Sequence, residues 1–149
     1  MAELKISRLA DGLTVSPQPS PGDFPLLAAR GVAMVVNNRP DGENPGQLPA
    51  AEAAEIARAN GMEYRHVPVR LTDISADDVR AFGRAAAEAT GPVHAHCRTG
   101  IRAATLWALN EVTSGRKSTD QVRATIEGVG FDSETALAWL AAHPLASVP

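Results

Sequence analysis

Apolar and polar positions recur along this chain with two periods, which divide it into strands and helices. Short apolar or alternating runs predict strands at Ile6–Leu9, Leu13–Ser16, Val32–Val36, Tyr64–Val69 and Pro92–Ala95. Helical spacing, bounded by capping residues, glycine or proline, predicts helices at Pro21–Gly31, Leu48–Asn60, Ser75–Thr90, Ala103–Gly115, Ser118–Gly128 and Ser133–His143. The order predicts an α/β fold with a central, mostly parallel sheet flanked by helices and a helical C-terminal part.

Two loops of this predicted sheet both follow the carboxyl end of a strand. One is Asn37–Gly46, which is rich in Asn, Pro, Asp and Gly, and the other begins after Ala95. Carboxyl ends of parallel strands meet at one edge, where ligands bind. We find no repeat or linker, so the sequence predicts one domain over residues 1–149.

The loop after Ala95 reads His96-Cys97-Arg98-Thr99-Gly100-Ile101-Arg102 and joins a strand to a helix. Backbone N–H groups at such a junction form a nest for anions, and the helix N-terminus adds positive potential. Arg102 can add a planar fork of donors. The same field favours a cysteine thiolate. The segment therefore predicts a nucleophile, Cys97, beside an anion-binding socket, although a lone cysteine is also a common core residue.

Composition narrows the classes of partner. The 149 residues carry a formal net charge of −3 without a basic block, which gives no support to a nucleic-acid partner. No apolar run is long enough for a membrane span, and the early charges Glu3, Lys5 and Arg8 do not fit a secretion leader. One cysteine permits no internal disulfide, so a cytoplasmic protein is expected.

The chain resembles one family over about Ile6 to Leu109. The motifs that carry the resemblance are Asn38–Glu43, Tyr64–Val69, Gly91–Val93, His96–Gly100 and Thr105–Leu109. They resemble the phosphatase-like domain of beta-lactamase-hydrolase-like proteins, which are bacterial. The resemblance implies a protein-tyrosine-phosphatase-like fold. Because some members are fused to a persulfide-dioxygenase-like domain, it also implies a persulfide-dioxygenase-like partner.

The spacing of the loop bears on which anion it handles. Four residues separate Cys97 from Arg102. This matches the rhodanese-like loop, whereas the phosphatase pattern has one residue more and hence a wider cradle. We therefore expect a sulfurtransferase that forms a persulfide on Cys97 from a sulfane-sulfur donor. A cysteine-dependent phosphatase of the tyrosine or dual-specificity type, acting on a phosphoester through phosphocysteine, stays open as the alternative. A passive anion-sensing module is a third hypothesis.

The remaining site residues receive roles from their positions in the two loops. Asp73 is the candidate general acid for a phosphatase, and Asp41 is a rival. The alternative interpretation of Asp73 is a turn residue before the Ser75 cap. Anion-binding residues are predicted to be Arg98, Thr99, Gly100, Ile101 and Arg102. Supporting roles fall to His96, Asn38, Arg39 and Asp41, with Arg39 pairing to Asp41 or Glu43. We assign no metal and no cofactor, because His94 and His96 lack further ligands at suitable spacing.

Overall fold

The computed structural model describes residues 3–144. Its strands are β1 (Ser7–Ala10), β2 (Leu13–Ser16), β3 (Met34–Asn37), β4 (Glu63–His66) and β5 (Val93–His96). Its helices are α1 (Asp23–Ala29), α2 (Ala50–Ala59), α3 (Ala76–Glu88), α4 (Ile101–Thr113), α5 (Thr119–Gly128) and α6 (Glu134–Ala142). Ser75 and Ser118 begin α3 and α5 with capping boxes, as their side-chain patterns predict.

The strands form one sheet in the order β1-β2-β5-β3-β4, in which only β1 runs antiparallel to its neighbour. The predicted α/β class with a mostly parallel sheet is thus confirmed. Strand β5, which leads into Cys97, lies at the centre, between β2 and β3. In its register His96 is level with Ser16 on one side and Asn37 on the other. The loops that follow these three strands therefore start together at one edge.

Alternating side chains of the sheet pack into two cores. Val35 faces α1 and α2 and joins Phe24, Leu27 and Ala53. Met34 and Val36 face the other way and join the helices that include Phe82 and Leu106. Each fully buried side chain of this size contributes about 1.5–3 kcal/mol to folding. Nine of the residues of α4 are buried, so this helix is enclosed by the second core and holds its N-terminus firmly against the sheet.

Four strands differ from their predicted bounds, β1 and β5 by a shift of one residue and β3 and β4 by two or more residues at one end. The third begins at Met34 instead of Val32 and includes the polar Asn37, whose side chain is buried. The fourth ends at His66 instead of Val69. Pro68 lacks the N–H that a ladder needs. The chain after His66 instead binds the end of β3 and the residue that follows it. Val67 N–H donates to Asn37 O (2.8 Å), and Val69 N–H donates to Asn38 O (3.1 Å).

Candidate active site

The loop between β5 and α4 wraps around the sulfur of Cys97. Cys97 is buried, and its Sγ accepts a hydrogen bond from the backbone N–H of Gly100 at 3.0 Å. Gly100 has φ +105°, a left-handed conformation that favours glycine. A Cβ there would lie 2.8 Å from Cζ of Phe131, so a side chain would also have to displace this ring. Backbone shape and packing together fix the loop, which we call the catalytic loop (residues 97–102).

Arg102 lies in the first turn of α4, and its guanidinium is anchored from two sides. Nη1 and Nη2 donate to the two carboxylate oxygens of Glu43 at 2.8 and 2.9 Å, and Nη1 also donates to Val69 O at 3.1 Å. Two parallel bonds of this kind fix the plane of an arginine. The pKa of Arg102 is raised, mainly by the hydrogen bond to Glu43 and in part by the charge of Cys97. The cation is thus held near Cys97.

Glu43 joins two arginines. Its Oε1 also accepts from Nε of Arg39 at 2.9 Å, and the side chain of Arg39 is only 4% exposed. The hydrogen bond from Arg102 is the main cause that lowers the pKa of Glu43 to about 2, with Arg39 adding to it against the effect of burial. Glu43 is therefore a permanent anion at neutral pH, and two cations share its one charge. The cluster stays net positive before the thiolate or a substrate is counted.

The loop between β3 and α2 carries the predicted supporting residues, which are held by different partners. Asn37 Oδ1 accepts from Arg39 N–H at 2.8 Å, and Asn38 Nδ2 donates to Val67 O at 2.9 Å. Asp41 Oδ1 accepts from Ala50 N–H at 2.8 Å and so caps α2. Of the two partners predicted for Arg39, the structure has Glu43 and not Asp41. From the sequence, Asp41 is expected to brace the site or to be a rival general acid. In the structure its carboxylate instead accepts from the first N–H of α2.

His96 supports the site through its backbone. Its carbonyl accepts from Asn38 N–H at 2.8 Å, which ties the end of β5 to the neighbouring loop. Its ring is fully buried and, among residues 3–144, makes no hydrogen bond to a side chain; its weak polar contact is with the Cys97 backbone, which opposes the effect of burial on the pKa of His96. Burial lowers the pKa of His96 to about 3, so the ring is neutral. The ring of His96 makes no hydrogen bond to Cys97 Sγ.

The structure does not bring the predicted general acid into this network. Asp73 is exposed, and in the described part of the chain its carboxylate makes no hydrogen bond or ion pair. It lies in a turn in which its N–H donates to Arg70 O at 2.9 Å, four residues after the carbonyl that Arg102 contacts. Arg98 and Thr99 are likewise exposed and lack side-chain partners among residues 3–144, whereas Ile101 begins α4.

Sequence reasoning missed the link between Glu43 and Arg102. The two residues are 59 positions apart, and no local pattern relates them. Gln18 and Phe131, which also contact the site, stand in loops whose sequences carry no motif. No group of three or more His, Cys, Asp or Glu side chains suited to a metal occurs among the described residues. None of the described helices is both long and apolar enough to cross a membrane.

A central parallel strand that delivers a cysteine into a loop closed by an arginine, inside this sheet order, defines the class of cysteine-dependent phosphatase-like proteins. The family described as beta-lactamase hydrolase-like protein, phosphatase-like domain, matches residues 5–115. The chain belongs to this family, as its motifs predict. It is 42% identical over 137 residues to the beta-lactamase hydrolase-like protein of Agrobacterium fabrum, covering 92% of this chain and 32% of that protein. The chain thus spans about a third of the length of that relative.

Solved structures support the same class. A candidate phosphatase from Neisseria meningitidis superimposes with a TM-score of 0.82 at 29% identity, covering 92% of this chain and 96% of that one. TpbA from P. aeruginosa, in complex with pTyr, superimposes with a TM-score of 0.69 at 18% identity, covering 89% of this chain and 80% of that one. The second likeness concerns the fold alone. The sulfurtransferase activity expected from the loop spacing receives no support from these comparisons.

Proposed function

We propose that this chain is a cysteine-dependent phosphatase with Cys97 as its nucleophile. The observation that supports it most directly is the joint arrangement of Cys97 Sγ under the Gly100 N–H and of Arg102 fixed by Glu43. Phosphoryl transfer needs little covalent help from the protein beyond positioning and charge stabilisation. A thiolate at the base of an amide nest, flanked by an immobile guanidinium, supplies both.

The proposed reaction has two displacements. The Cys97 thiolate attacks phosphorus, a P–S bond forms, and the P–O bond to the leaving group breaks with its electron pair on oxygen. That oxygen takes a proton from a general acid, for which Asp73 is the candidate. Water then attacks phosphorus and gives its proton to the same carboxylate, so that inorganic phosphate leaves and the thiolate returns. Gly100 N–H and Arg102 donate to the anion throughout.

The substrate class we propose is a phosphomonoester of an aryl alcohol, with phosphotyrosine as its protein form. The pTyr complex of the structurally similar TpbA makes such a group a reasonable first substrate to test. The exposed Arg98 and Thr99 stand on the catalytic loop and would meet the substrate outside the nest. The chain covers only 32% of its Agrobacterium fabrum relative. The proposed substrate class therefore concerns this domain and not the whole of that longer protein.

Sulfur transfer is the second candidate, and the loop length is the observation that favours it. Four residues between Cys97 and Arg102 leave one amide fewer than the phosphatase pattern offers. In that reaction the thiolate attacks the sulfane sulfur of a donor such as thiosulfate, the S–S bond breaks, and sulfite leaves with the electron pair. The persulfide on Cys97 then passes its outer sulfur to an acceptor thiol. No general acid is required, since sulfite is a stable anion.

One experiment separates the two candidates. Purified wild type and Cys97→Ser are assayed with 4-nitrophenyl phosphate, and parallel samples are weighed by intact-mass spectrometry after incubation with thiosulfate. We expect hydrolysis by wild type that falls at least about 1000-fold in Cys97→Ser, as when a nucleophile is removed. We expect no added sulfur on either protein. A gain of one sulfur on wild type alone, without hydrolysis, would replace the phosphatase proposal by sulfur transfer.

A further inference from the structure

A buried polar group on β5 has no role in the reaction above. The ring of His94 is fully buried, with Nδ1 at 2.7 Å from Thr14 Oγ1 and Nε2 at 2.7 Å from Ser16 Oγ. Both partners belong to β2, and the parallel register places Thr14 directly beside His94. Buried polar groups need partners, and here both ring nitrogens have one. His94 lies three residues before Cys97, the first residue of the catalytic loop.

The hydrogen bonds of Ser16 decide which nitrogen of His94 carries the proton. Ser16 Oγ donates its one proton to Pro17 O at 2.8 Å, so it can only accept from the ring. Nε2 of His94 therefore carries a proton, and Nδ1 accepts from the hydroxyl of Thr14. Burial, assisted by the charge of Arg30, lowers the pKa of His94 to about 4, which agrees with a neutral ring. One tautomer thus holds Ser16 in one orientation.

The three residues that begin at Ser16 extend from the His94 anchor to the catalytic loop. We call residues 16–18 the Ser16–Gln18 segment. Its Gln18 N–H donates to Arg98 O at 3.3 Å, and its Ser16 carbonyl carbon lies 3.5 Å from the Cβ position of Gly100. The loop backbone therefore contacts this segment at Gly100, where the ring of Phe131 also approaches.

The same segment also contacts Arg39, the second arginine bound to Glu43. Gln18 Oε1 accepts from Nη1 of Arg39 at 3.2 Å. Arg39 in turn shares Glu43 with Arg102. The backbone of the loop and Arg102 are thus linked through Gln18, Arg39 and Glu43, which gives the segment a means to set their relative positions.

We propose that the Ser16–Gln18 segment, anchored by His94, positions the catalytic loop, so that Ser16 and Gln18 are positioning residues for Cys97 and Arg102. The turnover part of this inference rests on the proposed phosphatase function. The loop geometry itself is independent of it, because the reactivity of Cys97 reports on the loop whichever anion is handled. A loosened loop misplaces the Gly100 N–H that bonds Sγ, and misplacement of about 1 Å costs up to about 100-fold in rate.

The test uses small changes in the segment and matched controls. Ser16→Ala removes the anchor, and Ser114→Ala removes an exposed hydroxyl that bonds Glu111 O far along α4. Gln18→Ala removes the acceptor for Arg39, whereas Gln18→Glu keeps it. Each protein is measured for kcat and KM with 4-nitrophenyl phosphate, for melting temperature, and for the pH at which iodoacetamide alkylates Cys97 at half its maximal rate.

We expect Ser16→Ala and Gln18→Ala to lower kcat about tenfold, with a smaller change in KM, and to raise the pH midpoint of alkylation. Gln18→Glu should recover most of the loss, and Ser114→Ala should match wild type. A lower melting temperature with unchanged kcat and midpoint in Ser16→Ala would reduce the segment to a structural role and overturn the proposal.

Two further outcomes remain decisive. If Ser16→Ala does not fold, Gln18→Ala carries the test, and a wild-type midpoint and kcat in that variant would overturn the proposal. If wild type does not hydrolyse 4-nitrophenyl phosphate, the proposed function fails. The alkylation midpoints of the Gln18 variants then still separate a positioning segment, which raises the midpoint in Gln18→Ala alone, from an inert one.

Discussion

Two carboxylates at the same edge of the sheet, Glu43 and Asp73, differ in almost every respect. Glu43 is held by Arg102 and Arg39 through three hydrogen bonds, and the pKa of Glu43 is lowered to about 2. Asp73 is exposed, and within residues 3–144 its carboxylate has no hydrogen-bond or ion-pair partner. The half of the site proposed to bind the anion, around Glu43 and Arg102, is preorganised, whereas the half proposed to meet the leaving group, around Asp73, is not.

This difference assigns the two carboxylates to different tasks. A proton donor must exchange protons near the working pH. Glu43 cannot do so, because both its oxygens accept from cations and the ionised form is strongly preferred. Its role is to orient Arg102 and to reduce the repulsion between two neighbouring guanidinium groups. Asp73 has no such partner within residues 3–144, which is why it remains the candidate for the acid role.

The largest effect is expected from acid on the buried histidines beneath the preorganised half. Burial lowers the pKa of His94 to about 4 and that of His96 to about 3, from 6.5. The unfolded chain then binds more protons below pH 6.5, so stability falls as the pH drops through that value. At pH 5 each ring should cost about 2 kcal/mol, or about 4 kcal/mol together. Urea unfolding at pH 7.5 and pH 5.0 measures this loss.

Glu43 provides the contrast in the same titration. Since the pKa of Glu43 is lowered from 4.5 to about 2, its stabilising contribution is complete above pH 4.5 and is lost only as the pH falls towards 2. Loss of stability between pH 6.5 and 4.5 should therefore persist in Glu43→Gln and shrink in His94→Gln. A flat profile for wild type down to pH 5 would contradict the assignment of neutral buried rings.

The second effect concerns the ion pair of the preorganised half. Glu43→Gln leaves Arg102 and Arg39 without a counter-charge and removes one oxygen acceptor. We expect kcat/KM for 4-nitrophenyl phosphate to fall about 100-fold, because the arginine of the site loses its fixed plane, and stability to fall by about 2 kcal/mol. Steady-state kinetics and urea unfolding provide both numbers.

The matched control for this variant is Glu88→Gln. Glu88 contacts Arg65 at 3.8 Å, and its side chain is 62% exposed. An exposed pair of this kind contributes at most about 1 kcal/mol, so activity should match wild type. Equal losses in the two variants would mean that Glu43 acts only through net charge.

The sequence sufficed for the fold and for the local chemistry but not for contacts between distant loops. The strand–helix junction at Cys97 was readable because the nest, the glycine and the arginine lie within six positions of one another. Arg39 could be expected to find Glu43, which follows it by one helical turn in sequence. That Glu43 reaches Arg102 depends on the register of β3 beside β5, which local pattern does not encode. Asp41 illustrates the reverse, since its turn motif concealed a cap for α2.

The smallest effect is expected from removing the proton donor proposed for the leaving group, Asp73. Asp73→Asn should lower kcat about tenfold for phenyl phosphate, whose leaving oxygen needs a proton, and much less for 4-nitrophenyl phosphate, whose leaving group departs as a stable anion. The matched control is Asp41→Asn, because asparagine still accepts the Ala50 N–H that begins α2. If Asp41→Asn shows this leaving-group dependence and Asp73→Asn does not, the proton comes from the β3–α2 loop. The anion-binding and leaving-group halves would then be built on one loop instead of two.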